Sequence, residues 1–351
     1  MELFVNGHNI FLVILVTFLV SALLVPIVKK AAEHVGAMDI PNERKVHKYP
    51  IPRMGGLAIF GAFLIGYMLF ASKNSSQMLS ILIGGFIIIL MGLFDDIKPV
   101  PARYKFLLQI IAAAVVVFYG GIVLNKITAF GLTFNFPKII SYIITIFFIV
   151  GITNTINLID GLDGLASGVS SIYFMTVTII AFINNKMGGL DTMLSLIMLG
   201  STLGFLIHNF HPAKIFMGDT GSQFLGFTIS VIALLGFKAA TLTSLIVPIV
   251  ILAIPIFDTA LAIFRRLLKG KGIMSPDKEH FHHQLLKMKF SVTATVLIIY
   301  AINILFASVS VFFVLGDKKI AMGIYAALMV LLLFLVMSTD ILFEHKKKDK
   351  K

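Results

Sequence analysis

Eleven long apolar runs dominate the chain. They fall at about 9–28, 54–71, 78–94, 104–120, 139–157, 165–183, 190–207, 222–237, 242–264, 292–315 and 319–343. A run of this length is what a helix needs to cross a bilayer, and a backbone in lipid must satisfy its own hydrogen bonds. The pattern predicts an all-α polytopic membrane protein with about eleven transmembrane helices. One integral domain spans residues 1–343, followed by a basic tail at 344–351. Several runs are short, which predicts tilted or broken helices. Hydrophobic residues make up 58% of the chain and charged residues 13%, as a multi-pass protein requires. The first run has no basic segment before it and Lys29-Lys30 after it, so it reads as a retained helix, not a cleaved leader.

Charge then orients the bundle. With eleven spans, 22 of the 29 Lys and Arg lie in the segments on one side, 29–53, 95–105, 158–164, 208–221, 265–291 and 344–351, and 7 on the other. The basic side faces the cytoplasm, which puts the N-terminus outside and the C-terminus inside. A net charge of +12 is explained by this bias and by attraction to anionic lipid, with no nucleic acid needed. Cysteine is absent, which excludes disulfides, thiolate metal sites and cysteine nucleophiles.

Acids also gather on the basic side. Asp95, Asp96, Asp160, Asp163, Asp219 and Asp258 all lie on, or at helix ends facing, the expected cytoplasmic side. A shared metal site is the simplest reason for carboxylates where topology favours cations. In residues 154–168, Asn157, Asp160 and Asp163 recur every three residues, so a helical turn would put them on neighbouring rows of one face. Gly161 and Gly164 permit a sharp turn or a close ligand. Such oxygens suit a hard cation and a polyphosphate; a capped, solvated turn is the alternative.

Three further motifs share that side. Lys45, His47, Lys48 and Arg53 precede Gly55-Gly56, either as an ordinary positive loop or as a phosphate-facing strip with backbone N–H groups at a helix start. Asp95-Asp96 end the third run. Adjacent helical residues diverge by about 100°, so one carboxylate would face a metal or nucleophile while the other holds a lysine or backbone group. Burial of one near the other would make a usable base. Nearby Lys98, Arg103 and Lys105 suit a lipid phosphate. Residues 208–222 put Asp219 between two glycines just before a helix, with Phe216 placed to stack on a planar base and Asn209 to bond its edge. The last loop carries Asp258, Arg265 and Arg266, then His280, His282 and His283. Asp258 and Arg265 share a helix face, which fits an ion pair, and the imidazoles fit phosphate donors better than a zinc set.

In this order and spacing the motifs resemble the polyprenyl-phosphate N-acetylhexosamine-1-phosphate transferases over essentially the whole chain. Residues 157–166, 216–222 and the Asp95-Asp96 pair carry the resemblance. The arrangement of Asp258, Arg265-Arg266 and His280–His283 looks like the GlcNAc-1-phosphate branch, and most like enzymes that start the wall teichoic acid linkage unit. The phospho-MurNAc-pentapeptide transferases are the alternative within the family. An ion-coupled transporter is a rival from outside it. So is a CDP-alcohol phosphotransferase, but position 167 is Ser where that motif wants Arg, and its later Asp pair is missing.

The resemblance implies transfer of GlcNAc-1-phosphate from UDP-GlcNAc to undecaprenyl phosphate at the cytoplasmic face of the cell membrane. It implies a Mg²⁺ cofactor, with Mn²⁺ as the alternative ion, and a homodimer. It assigns Asp219 and Asn157 to the metal, with Asp160 around it. Asp163, Asn209 and Phe216 would hold the uridine. Asp95 or Asp96 would engage the acceptor, and Lys48, Arg265, Arg266, His280, His282 and His283 would hold phosphate or sugar.

Overall fold

A computed structural model describes residues 3–41, 47, 49–71, 75–129, 132–238, 246–268, 270 and 280–337. Among them are thirteen α-helices and three two-stranded antiparallel hairpins. The helices are α1 (Ile10–Val35), α2 (Gly56–Phe70), α3 (Ser76–Ile97), α4 (Ala102–Ala114), α5 (Lys138–Ile159), α6 (Leu165–Ile183) and α7 (Leu190–Asn209). They continue with α8 (Gly218–Lys238), α9 (Ile246–Ile251), α10 (Ala253–Leu268), α11 (Phe281–Lys287), α12 (Val292–Leu315) and α13 (Lys318–Met337). Seven helices among the described residues are long and apolar enough to cross a membrane, with α4 counted together with the π-turn Val115–Tyr119 that extends it.

Helix lies in each of the eleven expected runs, with one break. The run at 242–264 is not one helix: α9 and α10 meet at Leu252, between Pro248 and Pro255. Pro255 has no N–H to offer the carbonyl one turn back, so continuity is lost there. The short α11 lies outside the expected runs.

The exposed face of α1 explains its composition. On α1, Val13, Thr17, Ser21, Val25 and Ala32 are buried while Phe11, Leu15, Leu19, Leu23 and Ile27 are exposed. An apolar face turned outward is unfavourable in water and suits lipid. By contrast, α8 is buried all round: every residue from 220 to 236 is buried, as expected of a helix at the centre of a bundle. It packs on α3 and α5 and also touches α2, α6 and α7.

The candidate site residues gather at the N-terminal end of this axis. Glycine makes the approach possible: a Cβ on Gly56 would lie 2.1 Å from the Gly221 nitrogen, and one on Gly92 would lie 2.5 Å from Thr220 Cα. Two helices thus press bare backbone onto the first turn of α8. A two-residue ladder of β1 (Met38–Asp39) and β2 (Ile51–Pro52) brings Asp39 and Arg53 to the same place.

Candidate active site

A crevice of about 340 Å³ opens at the N-terminal end of α8. Its wall includes Asn157, Asp160, Asp163, Asn209, Phe216, Asp219 and His283 from the sequence reading, together with His47, Arg53 and Asp39. Asp39 carried no motif. Its partner strand lies a dozen residues on, so no local cue marks it as reaching the site.

Asp219 stands in the first turn of α8, where the helix dipole favours negative charge. Its Oδ2 accepts hydrogen bonds from Lys105 Nζ and Gln223 Nε2, both at 2.8 Å. Its Oδ1 faces the Asn157 amide at 3.3 Å and the Arg53 guanidinium at 3.8 Å. The Asn157 amide also donates to Ser222 Oγ at 2.8 Å. Oxygens of Asp95, Asp96 and Asp219 come within 4.8 Å of one another. Lys105 bridges this group, and Arg53 adds a second cation from the other side.

The paired aspartates have separate tasks, and both differ from that of a base open to substrate. Asp96 has no exposed side-chain surface. It accepts the Asp219 N–H at 2.9 Å, the Thr220 N–H at 3.1 Å and the Thr220 hydroxyl at 2.6 Å, and so caps α8 from a neighbouring helix. Asp95 accepts the Val100 N–H at 2.7 Å and Lys105 Nζ at 2.7 Å. The divergence of adjacent helical residues is as expected, but each carboxylate holds backbone.

Asp160 caps the C-terminus of α5. Burial, reinforced by the nearby Asp219, Asp96 and Asp163 carboxylates and only partly offset by Arg53, pushes its carboxyl up to about 7. The following turn ends at Gly164, which has φ +78°. Here Asn209 departs from its expected task of bonding a base. It is 3% exposed; its Oδ1 accepts from Gly164 N and Ser167 Oγ, and its amide donates to the Ile215 carbonyl. It pins two loops together. Asp163 accepts His211 Nδ1 at 2.7 Å and the Ala213 N–H at 3.0 Å, and so holds the 211–213 loop.

Phe216 lies in the wall with its ring edge-on to His47, centroids 5.2 Å apart. His47 in turn bonds Asp39 Oδ2 at 2.8 Å. The Gly55 and Gly56 N–H groups are not offered to phosphate; they donate to the carbonyls of Phe216 and Met217. Lys45 and Lys48 lie outside the described residues. Arg53 is held by Asp39, Asp96 and Asp219. Burial opposes its charge, but these carboxylates raise its pKa above the ordinary value.

The last motif divides. Asp258 is taken up by His280 Nδ1 at 2.8 Å and the Phe281 N–H at 2.9 Å, which docks α11 against α10. Arg265 and Arg266 are buried in the last turn of α10, and neither is among the described residues lining the crevice. His282 is turned inward against Gly161, where a Cβ would lie 2.5 Å from its Nε2. Burial first, then His283 and His280, hold its pKa well below the ordinary value. Of the three imidazoles, only that of His283 lines the crevice among the described residues.

The donor set suits a divalent cation. Asp219, Asp160 and the carbonyl of Asn157 are hard oxygen ligands. Asp160, whose carboxyl is pushed up to about 7 chiefly by burial, is the group that such an ion would help to ionise.

Residues 78–237 match the model of glycosyl transferase family 4. The chain is 46% identical over 303 residues to a probable undecaprenyl-phosphate N-acetylglucosaminyl 1-phosphate transferase of Bacillus subtilis, covering 84% of this chain and 83% of that protein. The chain belongs to glycosyl transferase family 4. It is 34% identical over 329 residues to a decaprenyl-phosphate N-acetylglucosaminephosphotransferase of Mycolicibacterium smegmatis, covering 85% of this chain and 81% of the relative. An undecaprenyl-phosphate alpha-N-acetylglucosaminyl 1-phosphate transferase of Escherichia coli is 28% identical over 308 residues, with coverage of 84% and 81%. The family match covers α3 to α8, so it contains Asp95, Asp96, Lys105, Asn157 and Asp219.

Proposed function

We propose that the chain transfers GlcNAc-1-phosphate from UDP-GlcNAc to undecaprenyl phosphate, giving undecaprenyl-diphosphate-GlcNAc and UMP. The reading is supported by one observation above all. Asp219, Asn157, Lys105 and Arg53 converge at the N-terminus of α8 in a chain that covers 83% of a relative named for that transfer. The Bacillus subtilis relative is consistent with a place at the start of wall teichoic acid synthesis, the branch that the motifs resemble. Eleven membrane crossings follow from the apolar runs, and the N-terminus outside, the C-terminus inside and a crevice open to the cytoplasm follow from the charge bias; nucleotide sugars are found on that side.

The acceptor phosphate is already an anion near neutral pH, so the attack needs alignment and charge stabilisation more than a base. A phosphate oxygen forms a bond to the β-phosphorus, and the bond from that phosphorus to the UMP oxygen breaks. Lys105 and Arg53 offset the negative charge gathered between the two phosphates. Asp95 holds Lys105, and Asp96 holds the first turn of α8, so both act by positioning. Asp163 and Phe216 shape the wall for the uridine. Asp219, Asn157 and Asp160 would hold Mg²⁺ or Mn²⁺, which supplies charge neutralisation of the diphosphate. A route through a phospho-aspartate would require Asp95 or Asp96 to release its backbone partner first.

Labelled donor tests this reading. With ³²P at the β-position of UDP-GlcNAc, the label moves into the lipid fraction. Label retained in a nucleotide while sugar enters the lipid would mean simple glycosyl transfer and overturn the proposal.

A further inference from the structure

Directly below the site lies a second set of polar residues to which the sequence reading assigned no task. Gln223 is on α8, four residues after Asp219; Gln109 is on α4, four after Lys105; Asn154 is on α5, three before Asn157. Each spacing is one helical turn, so each lower residue lies about 5 Å beneath an upper one on the same helix face. The lower three are joined to one another as the upper three are. Gln223 Oε1 accepts Gln109 Nε2 at 2.8 Å. Gln109 and Asn154 pair reciprocally, at 2.7 Å and 3.3 Å. Gln109 is 2% and Gln223 1% exposed.

The direction of these bonds is set from above. A carboxylate only accepts, so Gln223 must turn its NH₂ to Asp219. Its oxygen is then left for Gln109, which must donate, and whose own oxygen must accept from Asn154. The two glutamine amides therefore both turn their donor ends toward Asp219, and Asn154 closes the chain as the reciprocal partner of Gln109. In a buried setting such a chain is stiff, and an unpaired member is costly.

We propose that Gln223, Gln109 and Asn154 form a positioning layer that fixes the height and orientation of Asp219, Lys105 and Asn157 for phosphoryl transfer. The inference rests on the reading above that those three act on the diphosphate. The layer ties α4, α5 and α8 at one level, and the reacting groups ride one turn above it. Gln223 touches no substrate; it acts through Asp219.

The test uses the full chain in detergent with Gln223→Leu, Gln109→Leu and the double variant. Loss of an orienting partner predicts a fall in kcat of about 10- to 100-fold, with KM for UDP-GlcNAc within about twofold. The double variant should lose little more than the worse single one, because the layer acts as a unit. Gln109→Glu should be worse than Gln109→Leu, since it sets an acceptor against the Gln223 oxygen. Direct Mn²⁺ binding, read by EPR without substrate, should weaken by about tenfold or more. Variants that keep kcat and Mn²⁺ binding within about twofold of wild type would overturn the proposal. So would a loss of activity that follows only the loss of folded protein in thermal melts. If Gln223→Leu fails to fold, Gln109→Leu, two bonds from Asp219, decides. Absence of UMP release by the wild type would refute the reaction instead, and the Mn²⁺ arm would then decide on the layer.

Discussion

Lys105 Nζ lies 2.7 Å from an Asp95 oxygen and 2.8 Å from an Asp219 oxygen, so one ammonium bridges the end of α3 and the start of α8. It is held between carboxylates beside the crevice, as Arg53 is on the other side. Lys105→Met should lower kcat by about 100-fold, the scale for losing one charge-stabilising donor. Lys105→Arg should rescue little, because a planar fork does not replace a point charge between two acids. Steady-state UMP release measures both.

Asp96 and Asp219 should fail differently. Asp96→Asn places an NH₂ among the three donors that now point at the carboxylate, so it should cost about 1–3 kcal/mol in stability as well as turnover. Asp219→Asn should abolish turnover with a much smaller change in melting. Thermal unfolding beside activity separates the two; equal melting temperatures would contradict the capping task of Asp96.

Phe216 offers a ring in the crevice wall, propped by His47. Phe216→Ala should raise KM for UDP-GlcNAc by about tenfold, within the 1–3 kcal/mol of base–aromatic stacking, and leave kcat nearly unchanged. A fall in kcat at constant KM would remove Phe216 from the uridine site.

His282 links α11 to pH. Its pKa in the fold lies well below the ordinary 6.5, chiefly through burial. The unfolded chain therefore takes up a proton that the folded one refuses, so its contribution to stability is present above 6.5 and is lost as pH falls below that value. Asp160, raised to about 7, acts with the opposite sign as pH rises from 3.8. The difference in melting temperature between wild type and His282→Asn isolates the histidine. That difference should shrink as pH falls from 7 to 5, and a constant difference would contradict the assignment.

Long apolar runs were legible because lipid imposes one rule on every segment. The break in the run at 242–264 was legible too, in Pro248 and Pro255, but a hydropathy run does not register a lost hydrogen bond. Motif reading singled out Asp219 and Asn157, which meet in the crevice, because glycine and carboxylate cluster there in sequence. It misassigned Asn209, since the chain shows a polar residue at a helix end but not the Gly164 and Ile215 groups that occupy it. That Asp258 and Arg265 share a helix face was legible from helix phase; the Asp258 partners His280 and Phe281 stand at the start of a separate helix, which phase does not reveal. Gln109 and Gln223 left a usable signal, as amides in apolar runs are costly unless paired. Only the fold shows that they pair with each other.

The most direct measurement is UMP release by the purified full chain in detergent, with Mg²⁺ and undecaprenyl phosphate, comparing UDP-GlcNAc with UDP-MurNAc-pentapeptide. The proposed reaction predicts UMP from UDP-GlcNAc alone, dependent on the lipid and abolished in Asp219→Asn. UMP from the pentapeptide donor alone would move the chain to the other branch of its family. No UMP from either donor, in protein that melts cooperatively, would contradict the proposed transfer.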